Sequence, residues 1–306
     1  MGWTARNIPD QSDRTAVVTG ANSGLGFVAA RELARRGARV VLACRDEERG
    51  RRARDRLVRE LPEAGPRAEL RLLDLGDLAS VNAFAKELPD DRVDLLVNNA
   101  GVMALPYGRT ADGFERQFGV NHLGHFALTG LLLDRLLASP APRVVTVSSA
   151  LHVLANIDIT DLNSERSYGR WVAYGRSKTA NLLFTHELAR RLADTPLIAA
   201  AAHPGYAATN LQSAGPRMEG RRAAERVMRL GNRLVAQSAE AGALPTLYAA
   251  TAPGVGADSF TGPRLAGWRG APAPSPRAPW TLSDAAGMRL WAASQELTGV
   301  AYGVPS

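Results

Sequence analysis

The stretch Thr19-Gly20-Ala21-Asn22-Ser23-Gly24-Leu25-Gly26 follows a short apolar run, Ala16–Thr19, and opens an amphipathic stretch, Gly24–Arg36. The apolar run predicts a buried strand, and the amphipathic stretch predicts a helix. Three glycines at the junction permit a tight turn and a close approach of the backbone to a ligand. The same alternation of short apolar runs and longer amphipathic stretches continues along the chain, which is typical of a parallel α/β sheet.

We predict seven strands without polar alternation, because helices cover both faces of a parallel sheet. They are Ala16–Thr19, Arg39–Ala43, Leu70–Leu73, Leu95–Val97, Val144–Val147, Leu197–Ala202 and a last strand near Ser259–Phe260. The predicted helices are Gly24–Arg36, Asp46–Leu61, Leu78–Glu87, Asp112–Leu137, Trp171–Ala193 and Asp284–Leu297. The expected fold is a Rossmann-type, doubly wound α/β sheet in one domain, residues 1–306, with a cofactor and catalytic core at 14–205.

The composition changes after Pro204, where an Arg-rich stretch, Gln212–Leu234, predicts a further helix. Ligands of such sheets bind beyond the carboxyl ends of the strands. We therefore expect residues 206–240 and 262–282 to wall a substrate pocket rather than to form a second domain.

Composition and charge restrict the compartment and the partners. One cysteine, Cys44, among 306 residues excludes an internal disulfide and fits a reducing cytoplasm. No apolar run approaches the roughly 20 residues that cross a bilayer, and Met1–Arg14 lacks the apolar stretch of a signal peptide. The net charge of +7 comes from scattered Arg interleaved with acids, as in Arg45–Arg59, which is typical of a solvated helix face. We expect a cytoplasmic protein that binds neither nucleic acid nor a membrane.

The glycine-rich turn predicts a dinucleotide site. A helix that begins at such a turn offers free N–H groups and a partial positive charge to a pyrophosphate. The candidate cofactor-binding residues of this turn are Gly20, Asn22, Ser23, Gly24, Leu25 and Gly26.

The end of the second strand indicates which dinucleotide is bound. NAD sites usually place a carboxylate there for the ribose 2′-hydroxyl, but this chain has Arg45, whose guanidinium suits a 2′-phosphate. NADP(H) is therefore favoured over NAD(H), with Asp46 left as a residue that would permit NAD. After the third strand Asp74 and Leu75 are placed to contact the adenine. After the fourth strand a small-residue turn is placed beside the adenine ribose, through Asn98, Ala100 and Gly101.

Tyr174 and Lys178 form a Tyr-x-x-x-Lys pair, and Lys178 is one of only two lysines in the chain. Residues four apart share a helix face, so the phenol and the ammonium can converge on one substrate. A cation close to a phenol stabilises the phenolate and lowers its pKa, which would make Tyr174 a general acid or base. Taken alone, such a pair is usually two surface residues, and only the other motifs favour a catalytic role.

Together these motifs resemble the short-chain dehydrogenase/reductase family, in its single-domain branch. The resemblance covers roughly residues 14–210 and rests on Thr19–Gly26, Asn98–Gly101, Asn121, Ser149, Tyr174–Lys178 and Pro204-Gly205. Within the family the chain is similar to the retinol dehydrogenase-like group and its protochlorophyllide reductase relatives, through stretches such as Asn121–Phe126 and Asn181–Arg190.

The resemblance implies an oxidoreductase in which Tyr174 is the acid/base, Lys178 lowers its pKa and binds the nicotinamide ribose, and Ser149 polarises the substrate carbonyl. It implies that Asn121 holds a water in a proton relay to Lys178. Pro204, Gly205 and Thr209 would line the nicotinamide. The expected reaction is hydride transfer between NADP(H) and a carbonyl or secondary alcohol of a small, apolar substrate.

Two other functions stay open. Reduction of a carbon–carbon double bond would use the same Tyr and Lys, and a cofactor-binding sensor would bind NADP(H) without turnover. Family members also associate through the helices near 112–137 and 171–193, so a homodimer or homotetramer is expected, although an apolar stripe on a helix could equally be internal core. His152 and His203 lack a third ligand at zinc spacing, so we expect packing or hydrogen bonding there and no metal.

Overall fold

The computed structural model describes residues 2–205 and 237–303. Its centre is an eight-stranded sheet in the order β3-β2-β1-β4-β5-β6-β7-β8. The strands are β1 Thr15–Thr19, β2 Arg39–Cys44, β3 Ala68–Leu72, β4 Leu95–Asn98, β5 Arg143–Val147, β6 Ile198–Ala202, β7 Phe260–Leu265 and β8 Arg269–Pro274. The first seven are parallel, with helices packed on the sheet. The predicted doubly wound fold class is confirmed.

The predicted count of seven strands is wrong, because β8 adds an antiparallel strand beside β7. It lies inside the segment 262–282 and includes Pro272 and Pro274. Proline cannot donate to a sheet ladder, so its presence argues against a strand in sequence. An edge strand tolerates proline because one side of it has no partner, and β8 is an edge strand of the sheet that the described residues form.

The described helices are α1 Gly24–Arg35, α2 Glu47–Glu60, α3 Leu78–Glu87, α4 Arg116–Phe118, α5 Gly124–Leu131, α6 Leu133–Leu137, α7 Arg170–Arg191, α8 Ala239–Thr251 and α9 Asp284–Thr298. The single helix predicted over Asp112–Leu137 is instead three segments, with a π-helical turn at Gly119–Leu123 between the first two. The helix α8 was not predicted. The helix predicted over Gln212–Leu234 lies outside the described residues. Among the described helices, none is long and apolar enough to cross a membrane.

The C-terminal helix α9 packs on α7. Its Trp291 is buried, with its ring centroid 5.1 Å from that of Phe126 and 6.0 Å from that of Phe184. Tyr302 closes the same aromatic cluster, and its hydroxyl donates to the carbonyl of Phe126 at 2.6 Å. This apolar face of α7 is therefore core within one chain. The homodimer or homotetramer expected through these helices stays a prediction.

A charged cluster fastens α7 to its neighbours. Nδ1 of His186 lies 2.7 Å from Asp258 Oδ2, and its Nε2 lies 2.8 Å from Asp284 Oδ1. Arg277 pairs with the same Asp258 at 2.6 Å. Burial lowers the pKa of His186, but the hydrogen bonds to Asp258 and Asp284 outweigh burial, so this pKa is raised above its usual value.

We predict that this cluster stabilises the fold more at low pH than at high pH. A His whose pKa is raised by folding contributes fully below its unfolded pKa of about 6.5, and the contribution is lost as pH rises through the folded value. The free energy of unfolding of wild type minus that of His186→Gln should therefore be larger at pH 5.5 than at pH 8.5. Urea denaturation at both pH values measures it. Gln can hydrogen-bond but does not titrate, so the difference reports the charge of His186. A difference that is constant, or that grows with pH, would contradict a protonated His186 in this cluster.

Candidate active site

The glycine-rich turn joins β1 to α1 at the carboxyl edge of the sheet. Gly20 and Gly24 adopt φ values of +66° and +56°, which favour glycine over other residues. A Cβ on Gly26 would lie 2.5 Å from the carbonyl oxygen of Gly20, so the turn has no room for a side chain. The N-cap residue Ser23 makes no side-chain cap to α1. The first N–H groups of α1 are thus available to an anion, which fits a dinucleotide pyrophosphate.

The turn after β4 is tied to the end of β1. The hydroxyl of Thr19 accepts from the N–H groups of Asn99 and Ala100, each at 2.9 Å. Asn98 is fully buried and donates to Thr129 Oγ1 at 3.0 Å, and its Oδ1 has no partner among the described residues. A Cβ on Gly101 would lie 3.6 Å from Lys178 Nζ. This turn therefore lies beside the Lys178 ammonium.

At the end of β2, the two residues that could select the cofactor, Arg45 and Asp46, differ in their hydrogen bonding. Asp46 is the N-cap of α2, and its carboxylate accepts from the N–H of Arg49 at 2.9 Å. Arg45 is exposed, and the described part of the chain provides no partner for its guanidinium. The cation is free for a ligand, whereas the carboxylate is used by the helix.

Asp74 and Leu75 lie just beyond the end of β3 rather than within it. Oδ1 of Asp74 accepts from the N–H of Gly76 at 2.9 Å. Leu75 is buried, and a Cβ on Gly124 would lie 2.4 Å from its carbonyl oxygen. Gly124 is thus required where α5 passes this loop, a contact that spacing in the sequence does not reveal.

Tyr174 and Lys178 are both buried on α7. Lys178 Nζ donates to the carbonyl of Val147 at 2.9 Å and lies 5.7 Å from the centroid of the Tyr174 ring. No carboxylate pairs with this ammonium among the ion pairs of residues 2–205 and 237–303. Burial lowers the pKa of Lys178 to about 8. A buried cation held by one carbonyl leaves N–H donors for a polar ligand.

The pKa of Tyr174 differs from the expectation that Lys178 lowers it. Burial raises the pKa of Tyr174 to about 12, and the Ser149 hydroxyl acts weakly in the opposite direction. Desolvation of the phenolate is the larger of these two effects, because charge is costly in a low-dielectric site. At neutral pH the phenol therefore carries its proton.

Ser149 follows β5 and is the N-cap of a 3₁₀-helix, Ala150–Leu154. Its oxygen accepts from the N–H of Leu151 at 3.1 Å, which leaves its hydroxyl proton to donate. His152 braces the same residue, with Nδ1 at 2.7 Å from the Ser149 carbonyl and Nε2 at 3.0 Å from the N–H of Ala278. His203 accepts from the N–H of Gly205 at 3.2 Å. Both histidines are engaged in hydrogen bonds.

Asn121 occupies the π-helical turn. Its Oδ1 accepts from the N–H of Val102 at 2.7 Å, and its Nδ2 donates to the Val102 carbonyl and to Ser177 Oγ, both at 2.9 Å. The amide side chain thus holds the backbone after β4, a role that the expected water relay did not include. Gly205 has φ +65°. Pro204 accepts from Gln237 through its carbonyl, and Thr209 lies outside the described residues.

Comparison with known proteins shows which family the chain belongs to. Residues 14–220 match the family described as short chain dehydrogenase. The chain belongs to that family. Members of that family use a nicotinamide cofactor, and this chain falls in the retinol dehydrogenase-like group.

Two curated relatives show the extent of similarity within this group. Retinol dehydrogenase 14 from Mus musculus is 50% identical over 208 residues, 65% of this chain and 62% of the relative. Retinol dehydrogenase 13 from Mus musculus is 42% identical over 293 residues, 94% of this chain and 84% of the relative. The first of these alignments spans less than two thirds of the relative's length.

Two solved structures extend the comparison. An uncharacterized protein from Mycobacterium paratuberculosis is 47% identical with a TM-score of 0.82, and 99% of each chain is covered. A short chain dehydrogenase from Escherichia coli CFT073, complexed with NADPH, is 28% identical with a TM-score of 0.55 over 68% of this chain and 84% of that one. The similarity to the Mycobacterium paratuberculosis protein therefore extends over nearly the whole of this chain.

We predict that Gly26→Ala destabilises the protein by about 1–3 kcal/mol, because the added Cβ overlaps the Gly20 carbonyl in a close-packed turn. Gly256→Ala is the matched control, since a Cβ there would meet no atom of the described residues within 4 Å, and it should cost less than about 0.5 kcal/mol. Chemical denaturation of both variants measures the two costs. Equal stability of the two variants would show that the turn is wider than described.

Proposed function

We propose that the chain is an NADP(H)-dependent oxidoreductase that moves a hydride between the nicotinamide and a carbonyl or secondary alcohol. This proposal is based on two buried groups that lie together on α7, the Tyr174 phenol and the Lys178 ammonium. The ammonium donates to a carbonyl, and no carboxylate of the described residues pairs with it. An unpaired buried cation is costly unless a ligand uses it. Ser149, whose hydroxyl proton is free to donate, completes the catalytic set, and Asn121 holds the adjoining backbone.

The described residues fit a dinucleotide. The uncapped start of α1 would hold the pyrophosphate, the turn after β4 and the loop after β3 would hold the adenosine, and Lys178 would bind the ribose beside the nicotinamide. Arg45 would bind a 2′-phosphate while Asp46 caps α2. A family member complexed with NADPH supports the same preference.

For reduction, the chain's residues supply a proton and hold the carbonyl. Ser149 O–H donates a hydrogen bond to the carbonyl oxygen, which polarises it, and Tyr174 O–H gives that oxygen its proton. The raised pKa of Tyr174 keeps the phenol protonated at neutral pH, as an acid must be. Lys178 stabilises the phenolate that remains. The cofactor supplies the hydride, and the protein contributes orientation and electrostatics.

The substrate class follows from the walls of the site. The turn between β7 and β8 packs on Gly205, since a Cβ on Gly205 would lie 2.5 Å from the carbonyl oxygen of Trp268. If Gly205 lines the nicotinamide, as proposed, this turn lies at the same end of the site. Leu265 in this hairpin is exposed. We therefore assign the hairpin, within segment 262–282, to the pocket of an apolar carbonyl compound. Segment 206–240, which the sequence also predicts to wall the pocket, lies mostly outside the described residues. Several relatives carry the name of an apolar alcohol, retinol.

We predict that Arg45→Ala weakens NADPH binding by about 10- to 100-fold, the cost of hydrogen bonds between a cation and a phosphate. NADH binding should change little, because NADH lacks the 2′-phosphate. Arg59→Ala removes the same charge from the far end of α2 and should leave both affinities unchanged. Fluorescence titration of both cofactors measures this. Tighter binding of NADH than NADPH to wild type would reverse the proposed preference, and no binding of either would overturn the enzyme proposal.

We predict that Tyr174→Phe lowers kcat for NADPH-dependent ketone reduction by about 10²- to 10⁴-fold, the usual contribution of a positioned acid. NADPH affinity should stay within about threefold of wild type, because the ring is retained. Tyr248→Phe, outside the site, is the control and should keep full activity. Steady-state kinetics with product analysis tests this. Undiminished ketone reduction would refute the acid role, and exclusive reduction of a carbon–carbon double bond would refute the carbonyl assignment.

A further inference from the structure

His125 is a fully buried residue of α5, and no motif of the sequence predicts a role for it. Its two ring nitrogens contact two different motifs of the site. Nδ1 lies 3.0 Å from the carbonyl oxygen of Asn121, in the π-helical turn. Nε2 lies 2.9 Å from the hydroxyl of Thr19, at the end of β1. The imidazole thus spans the space between the helix that carries Asn121 and the start of the cofactor turn.

The partners of His125 determine where its proton lies. A backbone carbonyl only accepts, so the proton must be on Nδ1, which donates to Asn121. A neutral imidazole then has an acceptor at Nε2, to which the Thr19 hydroxyl donates. Burial lowers the pKa of His125 to about 4, more than the Asn121 carbonyl raises it, and the Lys178 charge lowers it further. The ring is therefore neutral near pH 7.

The Thr19 hydroxyl has one proton and two lone pairs. When the proton is directed to His125, both lone pairs face the N–H groups of Asn99 and Ala100, which lie 2.9 Å away. The carbonyl of Val97, at 3.3 Å, is a weaker alternative acceptor for the same proton. His125 therefore orients a hydroxyl that carries two backbone hydrogen bonds of the turn after β4.

We propose that His125, as the neutral Nδ1–H tautomer, is a positioning residue that couples the Asn121 peptide to the cofactor-binding turn after β4. It acts through Thr19 and Asn121 and touches neither substrate nor cofactor. The proposal concerns the dinucleotide site and so rests on the proposed function for its effect on affinity. Its structural part, the tautomer and the hydrogen-bond chain, does not depend on that function.

His122 provides a matched control on the same helical stretch. It is equally buried, its Nε2 lies 2.9 Å from Ser294 Oγ in α9, and burial lowers its pKa to about 3. It is bonded to the C-terminal helix instead of the cofactor turn. Replacement of His122 by Phe should therefore affect stability without a specific effect on the turn after β4.

The first test is nitrogen-15 NMR of the histidine rings in the wild-type protein without cofactor. We expect His125 to show a protonated Nδ1 and an unprotonated Nε2, unchanged between pH 6 and pH 8. A protonated Nε2, or titration of the ring within that range, would overturn the proposal. This measurement needs no variant, so it stands even where a substitution prevents folding.

The second test compares His125→Phe with His122→Phe by amide hydrogen exchange in the apo protein. Loss of the acceptor for the Thr19 proton should speed exchange at Asn99 and Ala100 by about tenfold in His125→Phe, equivalent to about 1.4 kcal/mol. In His122→Phe the same amides should match wild type. Equal exchange in both variants would show that His125 does not order this turn.

The third test is a double-mutant cycle on NADPH affinity. His125→Phe should raise the Kd about fivefold to tenfold in the wild-type background and less than about twofold in Thr19→Val, where the hydroxyl is absent. Thr19→Ser, which keeps the hydroxyl, should restore the full effect. Additive effects would overturn the coupling. If wild type binds no dinucleotide, the proposed function fails, and the first two tests still decide the hydrogen-bond chain.

Discussion

Parallel pairing of β1 with β4, and of β4 with β5, is the constraint on which the site depends. The register places Val18 opposite Val97 and Asn98 opposite Thr146, so the three strands end at one edge of the sheet. Residues from distant parts of the sequence, in the glycine turn, the turn after β4 and the Ser149 segment, therefore emerge side by side. A shift of one residue in either ladder would turn the following side chains to the opposite face. The helix α7, packed behind β5 and β6, then adds its buried Tyr and Lys.

Burial changes the pKa values of the groups at this edge of the sheet, in a direction that depends on the group. It raises the pKa of Tyr174, so the phenol keeps its proton at neutral pH. It lowers the pKa of Lys178 only to about 8, so the ammonium still carries its charge there. It also keeps neutral the histidines that brace the site, so each has one donor and one acceptor to offer. A neutral ring bonded on both sides adds rigidity without adding charge beside the ammonium. The site is thus ordered by neutral hydrogen bonds around one buried cation.

The predictable parts of the structure are those that leave a periodic or compositional mark. Each of the first six predicted strands lies within two residues of its observed bounds, because a buried parallel strand is an uninterrupted apolar run. The glycine motif and the Tyr-Lys pair were located by spacing, and the structure places them together at one edge. The π-helical turn at Asn121 was missed because one extra residue in a helix barely changes its hydrophobic period. The hydrogen bond between His125 and Thr19, 106 positions apart, could not be predicted, because it is a tertiary contact between residue types that are common in protein cores. The balance of effects on the Tyr174 pKa depends on burial depth, which no spacing encodes.

The edge strand β8 has a consequence for self-association. The N–H of Ser275, just after β8, donates to the Phe260 carbonyl, toward β7. Successive backbone nitrogens of a strand point to opposite sides, so the nitrogens of Pro272 and Pro274, three and one positions before Ser275, point away from β7. Neither of those nitrogens carries a hydrogen. The outer border of the sheet formed by residues 2–205 and 237–303 therefore lacks N–H donors at two alternate positions. A strand that paired with it could not complete the hydrogen-bond ladder. The hairpin blocks edge-to-edge growth of the sheet from β7, and with it a common route from a partly unfolded chain to fibrous aggregates.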